Sequence, residues 1–341
     1  MKILVIRFSS IGDIILTSPV LRGIKQQVPG AEVHFLTKDA FRELVAHSPY
    51  VDHVHVLRDD LGATIRVLKQ ERFDLVVDLH HNLRTLRVKL ALGARAKSFA
   101  KLNWEKWLLV NLKVDKLPRI HIVDRYLATV AHLGVKNDGL GLDLFIPSEK
   151  EIAPSALPAT HRNGHIALCI GAGHFTKRLP QHKLVELARK LQGPLVIIGG
   201  RGDRATGRAI ADAVGARAYN ATGEYDLLGS ASLIRQANSV IAHDSGAMHI
   251  ASAFRKNVVS VWGNTVPEFG MGPYIPQHPE RVHISEVKGL DCRPCSKIGY
   301  ERCPKGHFRC MEKQDLDRIA AWAHGGAPDR PSIANSGEDR A

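Results

Sequence analysis

The chain opens Lys2-Ile3-Leu4-Val5-Ile6-Arg7-Phe8-Ser9-Ser10-Ile11-Gly12-Asp13, and the order of those residues decides the fold. Lys2–Ile6 is a largely apolar run of strand length, Arg7–Ser10 a polar turn, and Ile11-Gly12-Asp13 the entry to a helical pattern. A second stretch repeats the scheme in the other half: Ser239–Ala242, then His243-Asp244-Ser245-Gly246-Ala247-Met248-His249. Strand, tight turn and helix place polar side chains and free helix-start N–H groups at the carboxyl end of a strand, where ligands sit in open α/β sheets. One such turn in each half predicts two ligand surfaces facing one cleft.

Strand-like runs alternate with helical patterns on either side of both turns. Lys2–Ile6, Glu32–Leu36, His53–Leu57, Asp74–Leu79 and Lys97–Ala100 read as strands. Ile14–Gln26, Ala40–His47, Ala63–Glu71, Leu83–Leu92 and His121–Leu133 read as helices, with Pro19 kinking the first or delaying its start. A breaker-rich stretch from Pro147 to Gly164 reads as a linker. Beyond it, His165–Ile170, Leu195–Ile198, Ala216–Tyr219, Ser239–Ala242 and Val258–Trp262 are strands. Gln181–Leu191, Arg204–Val214, Leu227–Ala237 and Ala247–Ala253 are the helices between them. This β-α-β order predicts two Rossmann-like α/β domains with parallel sheets, 1–153 and 154–325, and a disordered tail over 326–341.

With 341 residues, 44% hydrophobic and 24% charged, the composition is that of a soluble globular protein of two domains. No apolar run reaches the roughly 18 residues that span a bilayer. Arg7 and Asp13 break the only stretch resembling a signal peptide, so a cytoplasmic location is expected. The net charge is +13, concentrated in Arg58–Arg119, where fourteen Lys and Arg stand against seven Asp and Glu. That balance suits a polyanion or an anionic membrane surface, or else a solvated basic face. Nucleic acid is not expected, because aromatics are only 6% and no nucleic-acid-binding motif occurs.

The candidate site residues each have two readings. Asp13 at a helix start is either a cap or, facing a cleft, a general base for a hydroxyl. In Ile170–Pro180, a glycine-containing loop brings Thr176, Lys177 and Arg178 to a helix start, which suits a diphosphate. The other reading is an ordinary loop with solvated cations. Gly199-Gly200-Arg201-Gly202-Asp203 reads as a capping turn with Asp203 as N-cap. Asp244 and Ser245 either cap their helix or, with Gly246 and His249, present N–H groups to phosphate or sugar. Cys292, Cys295, Cys303 and Cys310, with His307 among them, form either a zinc site or reduced packing thiols; the latter is preferred and no metal is assigned. Cys169 reads as core.

Taken together, these motifs resemble glycosyltransferase family 9, the heptosyltransferases of lipopolysaccharide core assembly. The resemblance runs from Met1 to about Met311 and is carried by Lys2–Asp13, Thr176–Pro180, Gly199–Asp203, Asp244–His249 and the Cys303-Pro304-Lys305-Gly306-His307 segment. It implies a GT-B fold of two Rossmann-like domains around a cleft, the first holding the acceptor and the second a nucleotide-sugar, usually ADP-heptose. It also implies inverting transfer with no catalytic metal or other cofactor. Asp13 matches the catalytic base. Thr176, Lys177, Arg178, Asp244, Ser245, Gly246 and His249 match the donor side, with Lys177 at the diphosphate. Ser10, Gly12, Arg84 and Arg125 match the acceptor side, which would take lipid A–Kdo or a lipopolysaccharide core. The basic stretch would then meet the anionic inner membrane from its cytoplasmic face. Leu179 and His80-His81 depart from the usual family residues and leave sugar and acceptor open. The competing readings are a GT-B-type epimerase or hydrolase acting on the nucleotide-sugar, and a non-catalytic basic module binding membrane or RNA.

Overall fold

The computed structural model describes residues 1–325. Five parallel strands, β1 (Lys2–Ile6), β2 (Glu32–Thr37), β3 (His53–Val56), β4 (Leu75–Asp78) and β5 (Arg95–Ser98), form a first sheet in the order β3-β2-β1-β4-β5. Six more, β6 (Ile166–Cys169), β7 (Leu195–Ile198), β8 (Ala218–Asn220), β9 (Ser239–His243), β10 (Asn257–Trp262) and β11 (Val282–Glu286), form a second in the order β8-β7-β6-β9-β10-β11. Every pairing is parallel. The central strands are buried on both faces, which is why they read as continuous apolar runs rather than alternations. Each sheet reverses its winding beside its first strand, between β1 and β4 and between β6 and β9. The crevices opened there are the ligand positions of doubly wound sheets.

The expected alternation is present, with differences that have physical causes. Pro19 lies in the first turn of a helix spanning Ser18–Gln27, so it starts that helix and separates it from the short Ile11–Ile15 helix. β5 falls at Arg95–Ser98, two residues earlier than expected; it is an exposed edge strand, Arg95-Ala96-Lys97-Ser98, and carries no continuous apolar run. β11 is a further edge strand missing from the sequence reading. Helices at Asn103–Trp107 and Leu316–Ala323 were also not expected. His121–Leu133 contracts to a helix over Ile122–Leu127 and a three-ten turn over Ala131–Leu133. The linker stretch is ordered into three-ten turns at Ser148–Lys150, Pro154–Ala156 and Ala159–His161. The expected tail lies outside the described residues.

One apolar core is continuous from the inner face of the first sheet, through Ile14 and Ile15, to Met248 and Ile250 of the second half. Separate clusters fill the outer faces: Leu4, Ile6 and Val88 on one side, Leu168, Val259 and Ile319 on the other. The helix Ile122–Leu127 belongs to the first half yet bonds the second. The Ile122 N–H donates to Gly270 O at 2.8 Å, and Arg125 Nη2 donates to Phe269 O at 2.9 Å. Gly270 has φ +77°, and a Cβ there would stand 2.6 Å from Ile120 O, so the backbone crossing requires glycine. No helix among the described residues is long and apolar enough to cross a membrane.

Candidate active site

Asp13 sits in the first turn of the Ile11–Ile15 helix, at the carboxyl end of β1. Its Oδ2 accepts from the Ser10 N–H at 3.1 Å and the Ser10 hydroxyl at 2.8 Å, so the capping reading is correct as far as it goes. The other oxygen, Oδ1, lies 2.6 Å from Arg7 Nη2. Arg7 is itself buried and donates to Leu79 O at 2.5 Å and Tyr126 Oη at 3.0 Å. Burial alone would raise the Asp13 carboxyl, but the Arg7 charge and the Ser10 bonds outweigh it and hold it below the usual carboxylate range.

The two helix starts touch. Gly12 packs so tightly on His249 that a Cβ at Gly12 would meet its Cδ2 at 2.3 Å. A Cβ at Gly246 would meet Ile11 Cβ at 2.8 Å. The absence of side chains at these two positions is what lets the carboxylate turn and the second-half turn share one cleft. His249 is buried, and burial draws it down to about 4, so it is neutral at pH 7. Its Nδ1 has no hydrogen-bond partner among the described residues.

On the second rim, Lys177 Nζ lies 2.6 Å from Asp244 Oδ2, which also accepts from Thr265 Oγ1 at 2.8 Å. Asp244 therefore orients a cation rather than capping the Gly246–Ala253 helix. Ser245 holds the N-cap position, but its hydroxyl makes no capping bond and is buried without a partner. The N–H groups that open this helix thus lack a side-chain cap, and the turn that carries them packs on Ile11 and Gly12. Asp203 holds the predicted N-cap position, yet its carboxylate turns back to the Gly200 N–H at 2.8 Å and Arg178 Nη1 at 3.1 Å.

Other candidates are placed differently. Arg178 is engaged by Asp203 and by Ala172 O, which braces its loop. Thr176 is buried and exchanges hydrogen bonds with the backbone of Tyr300, tying the cysteine-rich segment to the Lys177 loop. Arg84 is exposed, its guanidinium 5.4 Å from the Phe8 ring centroid. Arg125 is buried between the halves, bonding backbone carbonyls. Cys169 is buried in β6, and all five cysteines are free thiols. Cys292 Sγ is 3.7 Å from His307 Nε2.

Several residues at the cleft carry no site role in the sequence reading. Arg7 lay within the opening motif, but only the folded turn brings it back onto Asp13. His80, named from the sequence only as a departure from the usual family residue, lies with its ring tilted against Phe8, centroids 4.8 Å apart, and burial beside Arg7 and Lys101 lowers it to about 4. Lys106, lowered to about 8 by burial and by Arg125, stands 5.8 Å from the Phe269 ring of the other half. Lys101 and Lys106 belong to the basic stretch, whose charge was noted but whose members gave no individual signal.

Two Rossmann-like lobes joined around a cleft, each offering the turn at its winding reversal, define the GT-B class. Solved structures agree: that titled E. coli ADP-heptose lps heptosyltransferase II superposes with a TM-score of 0.71, at 21% identity, covering 95% of this chain and 99% of that one. The E. coli heptosyltransferase WaaC with ADP superposes with a TM-score of 0.67, at 17% identity over 96% and 100% of the two chains. Lipopolysaccharide heptosyltransferase 2 of Escherichia coli (strain K12) is 26% identical over 297 residues, 79% of this chain and 84% of that protein. Residues 61–299 match the glycosyltransferase family 9 (heptosyltransferase) model, and the chain belongs to that family.

Proposed function

We propose that this protein moves a heptose from ADP-heptose to a lipopolysaccharide core acceptor with inversion at the anomeric carbon and without a catalytic metal. Residues 1–153 would hold the acceptor and 154–325 the donor. Similar proteins carry ADP-heptose, ADP and lipopolysaccharide in their titles, which supports this choice of donor and acceptor. The observation that carries the reading is the direct packing of the Asp13 helix start on the Gly246 helix start. A base and a donor grip in one water-poor cleft are what sugar transfer requires.

In this reading Asp13 is the general base. It is ionised at neutral pH and fixed by Arg7 and Ser10, so one oxygen edge can take the proton of an acceptor hydroxyl as that oxygen attacks the anomeric carbon. The diphosphate leaves from the opposite face of the sugar. Lys177 exchanges its Asp244 partner for the departing diphosphate, and the helix-start N–H groups at Gly246 and Ala247 share the charge that develops there. Ser245 and His249 line that grip. Ser10 and Gly12 shape the acceptor side of the cleft, with Arg84 at its mouth. Arg125 bonds the backbone that closes the acceptor side, and Arg178 and Thr176 keep the Lys177 loop in place. The acceptor is lipid-borne, so the enzyme works at the cytoplasmic face of the inner membrane.

The test is incubation of the purified protein with ADP-heptose and lipid A–Kdo, with products read by mass. A heptosylated lipid and stoichiometric ADP are expected. ADP release that is unaffected by leaving out the acceptor would refute the transfer reading.

A further inference from the structure

Fifteen large hydrophobic side chains are exposed in the described residues, and eight of them fall between Leu83 and Ile120. The same span holds ten Lys and Arg against two Asp and Glu, a net +8 within a chain of net +13. Exposed apolar and basic side chains therefore coincide in one part of the first half.

The helix Leu83–Leu92 shows how this arises. Its inward stripe, Thr85, Val88 and Leu92, packs toward the outer face of the first sheet. Leu83, Leu86 and Leu90 form a second stripe at helical spacing on the opposite side. Leu83 is 80% and Leu90 74% exposed. Arg84 and Arg87 flank this outer stripe, and both are exposed. A helix buried on one side has no folding use for apolar residues on the other. After β5 the chain enters the Asn103–Trp107 helix, where Trp104 and Trp107 stack with ring centroids 5.2 Å apart. Trp104 is 65% exposed. Leu112, Val114 and Ile120 continue the apolar set. Among the described residues, Arg84, Arg87, Lys97 and Lys116 take part in no ion pair.

Both segments leave the carboxyl ends of neighbouring strands, β4 and β5, on the rim that carries Asp13; the Leu83–Leu92 helix then runs back along the sheet to the start of the parallel β5, so its outer stripe extends from that rim down the flank of the lobe. Arg84 over Phe8 and Lys106 over Phe269 border the cleft directly.

We propose that this surface, from Leu83 to Ile120, which begins at the rim and continues down the flank of the first lobe, is a docking surface for an anionic lipid bilayer and holds the mouth of the cleft beside the headgroups. Tryptophans and leucines enter the interface while the cations meet lipid phosphates. The meaning of this surface rests on the lipid-borne acceptor proposed above, whereas its existence is measurable without any acceptor.

The experiment is co-sedimentation of the full chain with phosphatidylcholine vesicles made with or without phosphatidylglycerol and free of acceptor. Binding to the anionic vesicles that weakens as salt rises is expected. The variant Leu90→Gln/Trp104→Ser/Trp107→Ser should bind them about tenfold or more weakly. A second variant, Arg87→Gln/Lys97→Gln/Lys116→Gln, should lose the preference for anionic lipid. Both should retain wild-type turnover on a deacylated, water-soluble acceptor, which also shows that they fold. Failure of the wild type to bind anionic vesicles, or wild-type binding by both variants, overturns the proposal. Vesicle binding by a wild type that transfers no sugar sinks the transferase reading instead and leaves the surface standing.

Discussion

Arg7 Nη2 lies 2.6 Å from Asp13 Oδ1, and this pair is enclosed by Tyr126, Leu79 and Ser10. The positive charge holds the carboxyl below the usual carboxylate range in a setting where burial alone would raise it. Replacing Arg7 by Gln removes that charge, so the Asp13 carboxyl should titrate at higher pH. The acid limb of kcat/KM should then move upward in pH relative to wild type, while Arg7→Lys moves it less. A limb that stays put in Arg7→Gln contradicts the coupling.

Asn at Asp13 keeps the shape and cannot accept the hydroxyl proton. Turnover should fall by about 10²-fold or more, with ADP affinity little changed. Near wild-type turnover in this variant would remove Asp13 from the base role.

Lys177 and Asp244 form a preassembled pair at 2.6 Å. Loss of a charge-assisted bond to phosphate costs about 1.5–3 kcal/mol, so Lys177→Ala should bind ADP roughly ten- to a hundredfold more weakly by calorimetry. Equal affinities would rule out the diphosphate contact.

Gly12 has no room for a side chain against His249. Gly12→Ala should destabilise the protein by about 1–3 kcal/mol through overpacking. Most of that loss should return in Gly12→Ala/His249→Ala, because the clash is with the ring. Denaturant midpoints for the four proteins of this cycle read the coupling, and strictly additive losses would place the strain elsewhere.

His243 and His249 are buried and drawn down to about 4 by that burial. The unfolded chain takes up protons on them as pH falls below about 6.5, and the folded chain does not until about pH 4. Their contribution is therefore complete above pH 6.5 and declines between 6.5 and 4, by roughly 3 kcal/mol for each group. Calorimetric Tm should drop steadily across that window, and His249→Asn should flatten the slope. A Tm independent of pH there would contradict neutral burial.

Periodicity and turn chemistry, which act over a few residues, were enough to establish two parallel sheets and to place Asp13, Lys177 and Gly246 at carboxyl-end turns. Local order also supplied the family motifs. It failed at β5 and β11, where edge strands are not buried on both faces and so need no continuous apolar run. Only the docked lobes determine that Gly12 meets His249 and that Arg125 bonds the opposite half, and only the pairing of β6 with β9 brings Lys177 to Asp244. Those contacts join segments far apart in the chain, and their geometry depends on how strands pair and how the two lobes pack. The same holds for Leu83 and Leu90: the sequence shows two apolar stripes on one helix, and the sheet beneath chooses which one is left facing outward.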